Sequence, residues 1–543
     1  MARPYMPLIA PRAIGILSLL VVLSISHIYA FQWQWVRWIG SSGNEQPADI
    51  CTDSYGHVFI AFTLGGPLWL DGQLLDPMQD DAVLLALDTN GQTRWWQQLA
   101  SAYDDASVAL NTHNDAILWG GYFWNQATLL DTTLNTVGGS KGIFVHALHT
   151  AHGQRLWSLV LSGSGQKELA SIIPSSQGIW LTGYFSDSLF VEPDTLIATG
   201  AHDLFALRLN DVGQPIFSFH AGGQGSVRAE ASCLLPDEQL AIGGRFKGQL
   251  VFGQDTLYSS TLDHDVFVAV LDAQGVPLWA RMAGGVHEAR THAISTDQQG
   301  HIHLWGSFLG VLNMNDSIGI VTPGFHYDGF WLKWDTWGHP LSAQRIGGLA
   351  DDQLLDASCF GNTCWLGGSF AQSFSLPPFT QIAADDLPDG WLAQFHSDDT
   401  TASQLLHLPG QGIVQLTDLD YTANGWPIVL GHFDMDVWLD QTYNSAGWYD
   451  LFVAQWNGNT TSLQPTIPLP AWAMWPNPAR ESVFFEWPSG KWHLRISNAT
   501  GQVMYEGVLP HYVDVSSWPP GLYTVRAWER QRKTGEIRLL IVP

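Results

Sequence analysis

From residue 33 to about residue 458 the chain alternates short apolar runs with turns rich in Asp and Gly. The phrase DVFVAVLDAQGVPLW (265–279) is typical: an Asp, a seven-residue strand pattern, a turn, and a second strand carrying Trp. It recurs as DAVLLALDTNGQTRWW (81–96), GIFVHALHTAHGQRLW (142–157) and DLFALRLNDVGQPIF (203–217). Further copies are DGFWLKWDTWGHPLS (328–342), DGWLAQFHSDD (389–399) and DLFVAQWNGN (450–459), seven in all. A second phrase keeps step at Gly121-Tyr-Phe, Gly183-Tyr-Phe, Gly244-Arg-Phe, Gly306-Ser-Phe, Gly368-Ser-Phe and Gly431-His-Phe, with Ala61-Phe-Thr in the first copy. Each unit of about 62 residues reads as four short strands, exemplified by LWARMAGG (278–285), Ala289–Ser295, HIHLWGSF (301–308) and DVFVAVL (265–271). Turns such as DSYG (53–56), DQQG (297–300) and DAQG (272–275) join them, with Gly supplying positive φ. Four-stranded units repeated radially predict an all-β fold, a seven-bladed β-propeller of four-stranded blades. A β-helix would show much shorter periods.

The tight turns place each Trp-bearing strand at the outer edge of the blade before it. WQWVRW (33–38) then has no preceding strand and the last unit has no following one. The N-terminal strand is therefore predicted to complete the seventh blade beside 450–456, leaving no free edge.

Composition narrows the function classes. Hydrophobic residues make up 46% and charged residues 13%, with 27 Trp and 54 Gly, which favours packed β-structure. A formal net charge of −27 excludes a nucleic-acid partner, whose phosphates need a basic face. Arg3 and Arg12 precede an apolar stretch at 13–25 and small residues ending at Ala30, so 1–30 reads as a signal peptide. No later segment reads as a transmembrane span. Cys359 and Cys364 flank a four-residue turn and are candidates for a disulfide, whereas Cys51 and Cys233 occupy equivalent positions in different repeats.

The repeat unit, with its Gly-Gly, Asp-x-x-Gly, Gly-x-Phe and Asp-x-Phe-x-Ala phrases, resembles a bacterial β-propeller repeat family of exported proteins over residues 33–457. That likeness is specific for fold and silent on function. A polar, Pro-rich linker follows at 459–472, then a small C-terminal β-sandwich at 473–543. The order Pro476-Asn477-Pro478-Ala, strand–turn–strand, Val-Asp-Val-Ser and Gly521-Leu-Tyr523 resembles the C-terminal sorting domain of Bacteroidetes type IX secretion cargo. The resemblance implies Sec export, passage of the outer membrane through the type IX machinery, then cell-surface attachment or release.

Candidate chemistry is sparse. Asp272 and Gly275 are separated by two residues, so the opening turn is no sialidase Asp-box, and Asp-boxes are structural in any case. Calcium has one candidate loop, DLDYTANG, with Asp418, Asp420 and Asn424, but it aligns with an ordinary inter-strand turn. Glu45, Asp105, Glu168, Glu230, Glu288 and Asp352 precede the second strand in six units, with Gln415 in the seventh. They read either as an acidic ring at a channel mouth or as buried acids accepting backbone N–H bonds at blade junctions; repetition favours the second. The Asp before the fourth strand (81, 203, 265, 328, 389, 450) reads the same way. His301 and His303 share a strand face without an obvious third ligand and read as exposed strand residues. No nucleophile-elbow phrase occurs, and the vicinal Cys pair of quinone-cofactor propeller enzymes is absent. Most Trp residues hold fixed blade positions and read as packing, leaving Trp69, Trp124 and Trp438 in less regular connections as candidate glycan or protein contacts. The expectation is an exported binding or scaffold module for an extracellular protein or glycan, without catalytic, cofactor or metal residues. The alternative is a secreted hydrolase or lyase built where the repeats diverge, with His287, His292, His326 and Asp385/Asp386 as the residues to inspect.

Overall fold

The computed structural model describes residues 30–130, 132–260, 263–348, 350–383, 387–461, 473–475, 482–486, 493–498, 502–508, 512–529 and 532–541. Phe31–Asn459 forms one compact unit, and Thr460–Pro543 belongs to a second. The first contains seven antiparallel sheets, each with a four-stranded core; one is extended by a hairpin from its neighbour and another by the short strand Asp255–Tyr258. Their inner strands are Glu45–Thr52, Ala106–His113, Lys167–Ser175, Gly225–Leu234, Ala289–Thr296, Asp352–Phe360 and Val414–Tyr421. Each touches the next, and the last touches the first, so the sheets close into a ring around a central channel. The fold is a β-propeller, and its seven sheets are numbered here as blades 1 to 7 in this order.

Blade 4 shows why these residues form these strands. Its strands are Gly225–Leu234, Leu240–Phe252, Asp265–Leu271 and Pro277–Ala283, paired in that order from the channel outward. Asp265–Leu271 is buried at every position because blades pack against both of its faces, which is why it reads as continuous apolar sequence. The outer strand is partly exposed, with Leu278 outward and Trp279, Ala280 and Ala283 buried. In the turn, the Asp272 carboxylate accepts the N–H groups of Gln274 (2.9 Å) and Val276 (2.8 Å), and Gly275 takes φ +90°. A side chain at Gly275 would also strike Phe217 on blade 3.

That contact recurs around the ring. Trp35, Trp95, Trp157 and Trp279 each lie against the turn glycine of the next blade: Gly91, Gly153, Gly213 and Gly338. Each indole N–H donates to a backbone carbonyl of that turn, those of Thr89, Thr150, Asp211 and Thr336. The repeated Trp and the repeated Gly are therefore two halves of one inter-blade contact. Replacing Trp279 with Ala is expected to cost about 3 kcal/mol, since a buried indole leaves a cavity and an unmatched carbonyl. Urea unfolding of the variant checks this; a loss under about 1 kcal/mol would contradict it.

The ring closes as the sequence predicts. Ala30–Ile39 is the outer strand of blade 7, beside Asp450–Thr461. The Trp35 indole also donates to Gln455 (2.7 Å) and Trp38 donates to Asp450 (2.9 Å). The connections read as irregular are instead ordered: every blade carries a short extra hairpin between its second and third strands, such as Leu68–Leu70 with Gln73–Leu75, or Val311–Asn313 with Gly319–Val321. These hairpins reach the end of the preceding blade's outer strand. Asn313 and Gly284 exchange backbone hydrogen bonds (2.9 and 3.0 Å), and Val251 N–H donates to Gly222 (2.8 Å). A Cβ on Gly284 would meet the Asp265 carboxylate, and one on Gly285 would meet the carbonyl of Val311, so the Gly-Gly phrase marks where one blade passes under the next.

Cys359 and Cys364 face each other across the first hairpin of blade 6 and are joined as a disulfide, while Cys51 and Cys233 are free. The C-terminal unit consists of a three-stranded sheet, Ala473–Trp475, Ser482–Glu486 and Tyr512–Asp514, and a four-stranded one, Val503–Val508, His493–Asn498, Gly521–Glu529 and Arg532–Ile541. Tyr523 is buried and its hydroxyl donates to Pro519 (2.7 Å); Gly521 begins the same strand. Pro476, Asn477 and Pro478 lie outside the described residues.

Candidate functional site

In a four-stranded meander the tight turns share one face, while the blade-to-blade connections and the extra hairpins share the other. Every inner strand carries a bulge at the same place: Ala48, Val108, Ala170, Glu230, His292, Leu355 and Thr417 are each passed over in the pairing. A bulge bends the strand and re-aims the side chains beside it. This gives a register against which the six acids can be placed.

Glu45, Asp105 and Asp352 hold one position, three residues before the bulge; blades 3, 4, 5 and 7 have Lys167, Val227, Ala289 and Val414 there. These three acids are buried. Glu45 accepts the Ser41 N–H (2.9 Å) and Asp352 accepts the N–H groups of Gly348 and Ala371, while Asp105 accepts the Ser101 hydroxyl (3.0 Å). Burial pushes their carboxyls up, to about 7 for Glu45 and Asp352 and about 8 for Asp105. The Asp at the start of the third strand in every blade but the second is also buried: Asp265 accepts from Ser260 and Gly285, Asp389 from His407 and Gly410, and Asp328 from Arg345.

Glu168, Glu230 and Glu288 sit elsewhere, respectively two residues before, at, and four residues before their bulges. They belong to a mixed cluster of charge at one channel mouth, on blades 2 to 5. Glu168 pairs with Lys141 (2.6 Å), whose ammonium also lies over the Tyr122 ring. Glu230 pairs with Arg245 (2.9 Å) and accepts the Thr291 N–H (3.2 Å). Glu288 pairs with both Arg245 (3.0 Å) and Arg290 (2.9 Å). Arg228 stacks over Tyr184, and the Tyr327 hydroxyl reaches Glu288 (3.4 Å). Burial raises the Glu230 carboxyl to about 7 against the pull of Arg245. At Glu288 burial also acts upward, but Arg290 and Arg245 outweigh it and the carboxyl lies below its ordinary value. Burial, then Arg228 at His202 and Arg245 at His264, keeps both imidazoles below their usual range.

The arginines, tyrosines and the histidines 202 and 264 were not singled out from the sequence. A signal for three of them was present: the middle residue of Gly-x-Phe changes from Tyr122 and Tyr184 to Arg245, Ser307, Ser369 and His432 around the ring. The mouth opens into a cavity of about 840 Å³ lined by Glu168, Tyr184, Glu230, Arg245, Arg290 and His292. Burial and the neighbouring arginines press His292 down to about 4. His287 stacks edge-on against Phe325, His326 lies 3.8 Å from Asp351, and Asp385/Asp386 are outside the described residues.

Deeper in the same cavity, blades 6, 7 and 1 contribute a different group. Asp356, Asp418 and Asp49 each follow the bulge by one residue and each accepts the backbone N–H of the next inner strand: Leu419 (2.9 Å), Ile50 (2.6 Å) and Leu110 (2.5 Å). Asp418 also shares hydrogen bonds with the other two carboxyls. Asp420 does likewise to Thr52 (2.7 Å). Burial pushes all four up, joined at Asp49, Asp356 and Asp418 by repulsion from the neighbouring carboxylates. Asp418 and Asp420 thus lie on a strand and join blade 7 to blade 1, with Asn424 in the turn beyond, rather than forming a calcium loop.

His301 and His303 depart from the exposed-strand reading. His303 is fully buried, its Nδ1 accepting from Trp331 (2.8 Å) and its Nε2 donating to Asp297 (3.1 Å). His301 contacts the same carboxylate (2.9 Å). Asp297, His301 and Asp398 place ligand atoms within 4.8 Å of one another, but the Lys333 ammonium already lies 3.4 Å from Asp297 and 2.7 Å from Asp398. The protein supplies its own cation there, locking blade 5 to blade 6.

Residues 473–541 match the family of secretion system C-terminal sorting domains. The chain ends in a type IX sorting domain. Such a domain indicates export to the outer membrane surface or the extracellular space. No curated protein matches the chain. Among solved structures it is similar to BamB from Moraxella catarrhalis, at 14% identity and TM-score 0.34 over 80% of this chain and 99% of that one. It is also similar to the quinohemoprotein alcohol dehydrogenase of Comamonas testosteroni (11%, TM-score 0.38, 84% and 80%). A third is the β-propeller domain of the trilobed protease from Pyrococcus furiosus (8%, TM-score 0.37, 79% and 98%). These likenesses concern the fold alone. No helix among the described residues is long and apolar enough to cross a membrane.

Proposed function

We propose that the protein is an exported binding or scaffold module whose ligand, a protein or glycan, docks at the channel mouth on blades 2 to 5. Residues 1–30 serve as the signal peptide, 459–472 as a linker, and 473–543 as the type IX sorting tail that is removed as the propeller is attached or released. The observation that carries the reading is the break in repeat symmetry. Most of the repeated polar residues are committed to holding blades together, whereas Tyr184, Arg245 and Arg290, which line an open cavity, and Arg228, stacked over Tyr184, occupy positions that vary from blade to blade.

Glycan-array screening and affinity capture with the full chain test this, run beside a variant carrying Tyr184→Ala, Arg228→Gln and Arg290→Gln. Ligands retained by the wild type should be lost by the variant. Equal retention by both would remove the mouth from consideration. A hydrolase or lyase is the second reading, favoured by Glu230: a cavity-lining carboxyl raised to about 7 is suited to proton transfer near neutrality. Turnover of a retained glycan, lost in Glu230→Gln, would select it.

A further inference from the structure

Resting on the mouth as the binding site, we infer that it takes the anionic group of an acidic glycan, a carboxylate or sulfate borne on a sugar. Arg228 and Arg245 are direct cross-strand partners in the register of blade 4. Like charges directly opposite each other are unfavourable, so such a pair persists where an anion is to be held. Arg290, on the next inner strand, brings a third guanidinium.

Among the described residues, two carboxylates pair with this group of three cations. Glu230 and Glu288 are both taken by Arg245, and Glu288 also by Arg290. Arg228 is left with an aromatic face and an imidazole: Tyr184 at 4.8 Å from the ring centre and His202 Nε2 at 3.5 Å. Its buried Nε–H meets no hydrogen-bond acceptor among the described residues. The neighbouring Lys141–Glu168 pair is balanced and offers no compensation. In a chain of net charge −27 this is a local excess of positive charge, beside a cavity, with an unused donor.

The chemistry of the opening narrows the ligand. A guanidinium fork matches the planar oxygens of a carboxylate or the face of a sulfate. The volume lies within the ~300–1,000 Å³ usual for small-ligand sites, and Glu168, Glu230 and Tyr184 line it with groups that can meet sugar hydroxyls and a sugar face. A protein partner would instead need on the order of 800 Å² of its own surface in contact.

The test is titration calorimetry of the full chain with four polymers: polygalacturonate, dextran sulfate, uncharged dextran and poly-glutamate. One or both acidic polysaccharides should bind at least tenfold tighter than dextran and poly-glutamate, and which one binds separates carboxylate from sulfate. Arg228→Gln should weaken that binding at least tenfold while its melting temperature stays within a few degrees of wild type; the wild-type comparison stands even if the variant does not fold. Equal binding of dextran, unchanged in Arg228→Gln, would overturn the acidic ligand. Tighter binding of poly-glutamate would overturn the glycan while leaving the mouth as a binding site. Binding of none of the four would overturn the inference, and loss of array or capture ligands in the triple variant would still support the mouth.

Discussion

Removal of residues 31–40 is expected to lower the melting temperature of the propeller by more than about 10 °C and to expose it to trypsin under conditions in which the intact protein resists. The segment supplies the entire outer strand of blade 7. Without it, Asp450–Thr461 becomes a free edge, Trp35 no longer covers Gly91, and Asp450 and Gln455 lose their indole donors. Each large apolar side chain so uncovered is worth roughly 1.5–3 kcal/mol, in a protein whose net stability is expected to be only about 5–15 kcal/mol. A ring concentrates the damage, because blades 1 and 6 both lean on the seventh. Unchanged trypsin resistance of the deletion would show that closure is not what holds the ring.

The second large effect is a loss of stability between pH 6.5 and 8. Glu45, Asp352 and Glu230 are raised to about 7 and Asp105 to about 8, all first by burial, and Asp49 and Asp418 are raised as well. A carboxyl raised in the folded state keeps its proton while the unfolded chain has already lost it. Its stabilising contribution is therefore complete below about pH 4 and disappears as pH climbs through the folded value. Buried imidazoles act in the opposite sense: His292 and His432, pressed down to about 4 and His146 to about 3, lose stability as pH falls below the ordinary histidine range. The two sets offset one another below pH 6.5, and only the carboxyls act above it. Together they should remove about 3–5 kcal/mol by pH 8. Asp418→Asn keeps an acceptor for Ile50 and a donor for its neighbours, so it should raise stability at pH 8 and flatten the profile. Urea midpoints measured at pH 6.5 and 8 decide; a profile that rises with pH, or an Asp418→Asn variant weaker at pH 8, would contradict the account.

Much of the fold is legible in the sequence because each blade must solve the same packing problem. The Asp272–Gly275 turn, the buried Asp265 run and the strand at 33–38 follow from alternation, turn chemistry and the need to leave no edge. The extra hairpins were not foreseen, since strands of three or four residues such as Val311–Asn313 carry too little periodicity to register. The acids exposed a different limit. Counting from repeat phrases put Glu45 and Glu288 in one class, whereas the bulge register separates them: Glu45 aligns with Ala289, and Glu288 falls one residue earlier, in a connection of the same length. The mouth cluster lay hidden for a related reason: Arg228, Arg245 and Arg290 come from two blades, and their convergence is a property of the ring rather than of any one repeat. His303 was misjudged because its partners, Trp331 and Asp297, become visible only once the strands are paired.

The repeated polar residues mostly build the ring, and ligand recognition falls to the positions that differ. Hydrogen–deuterium exchange of the full chain with and without polygalacturonate tests this most directly. Protection confined to 225–231, 244–247 and 288–292 is the predicted result. Protection confined instead to the opposite-face turns, such as 53–56, 272–275 and 297–300, would contradict it.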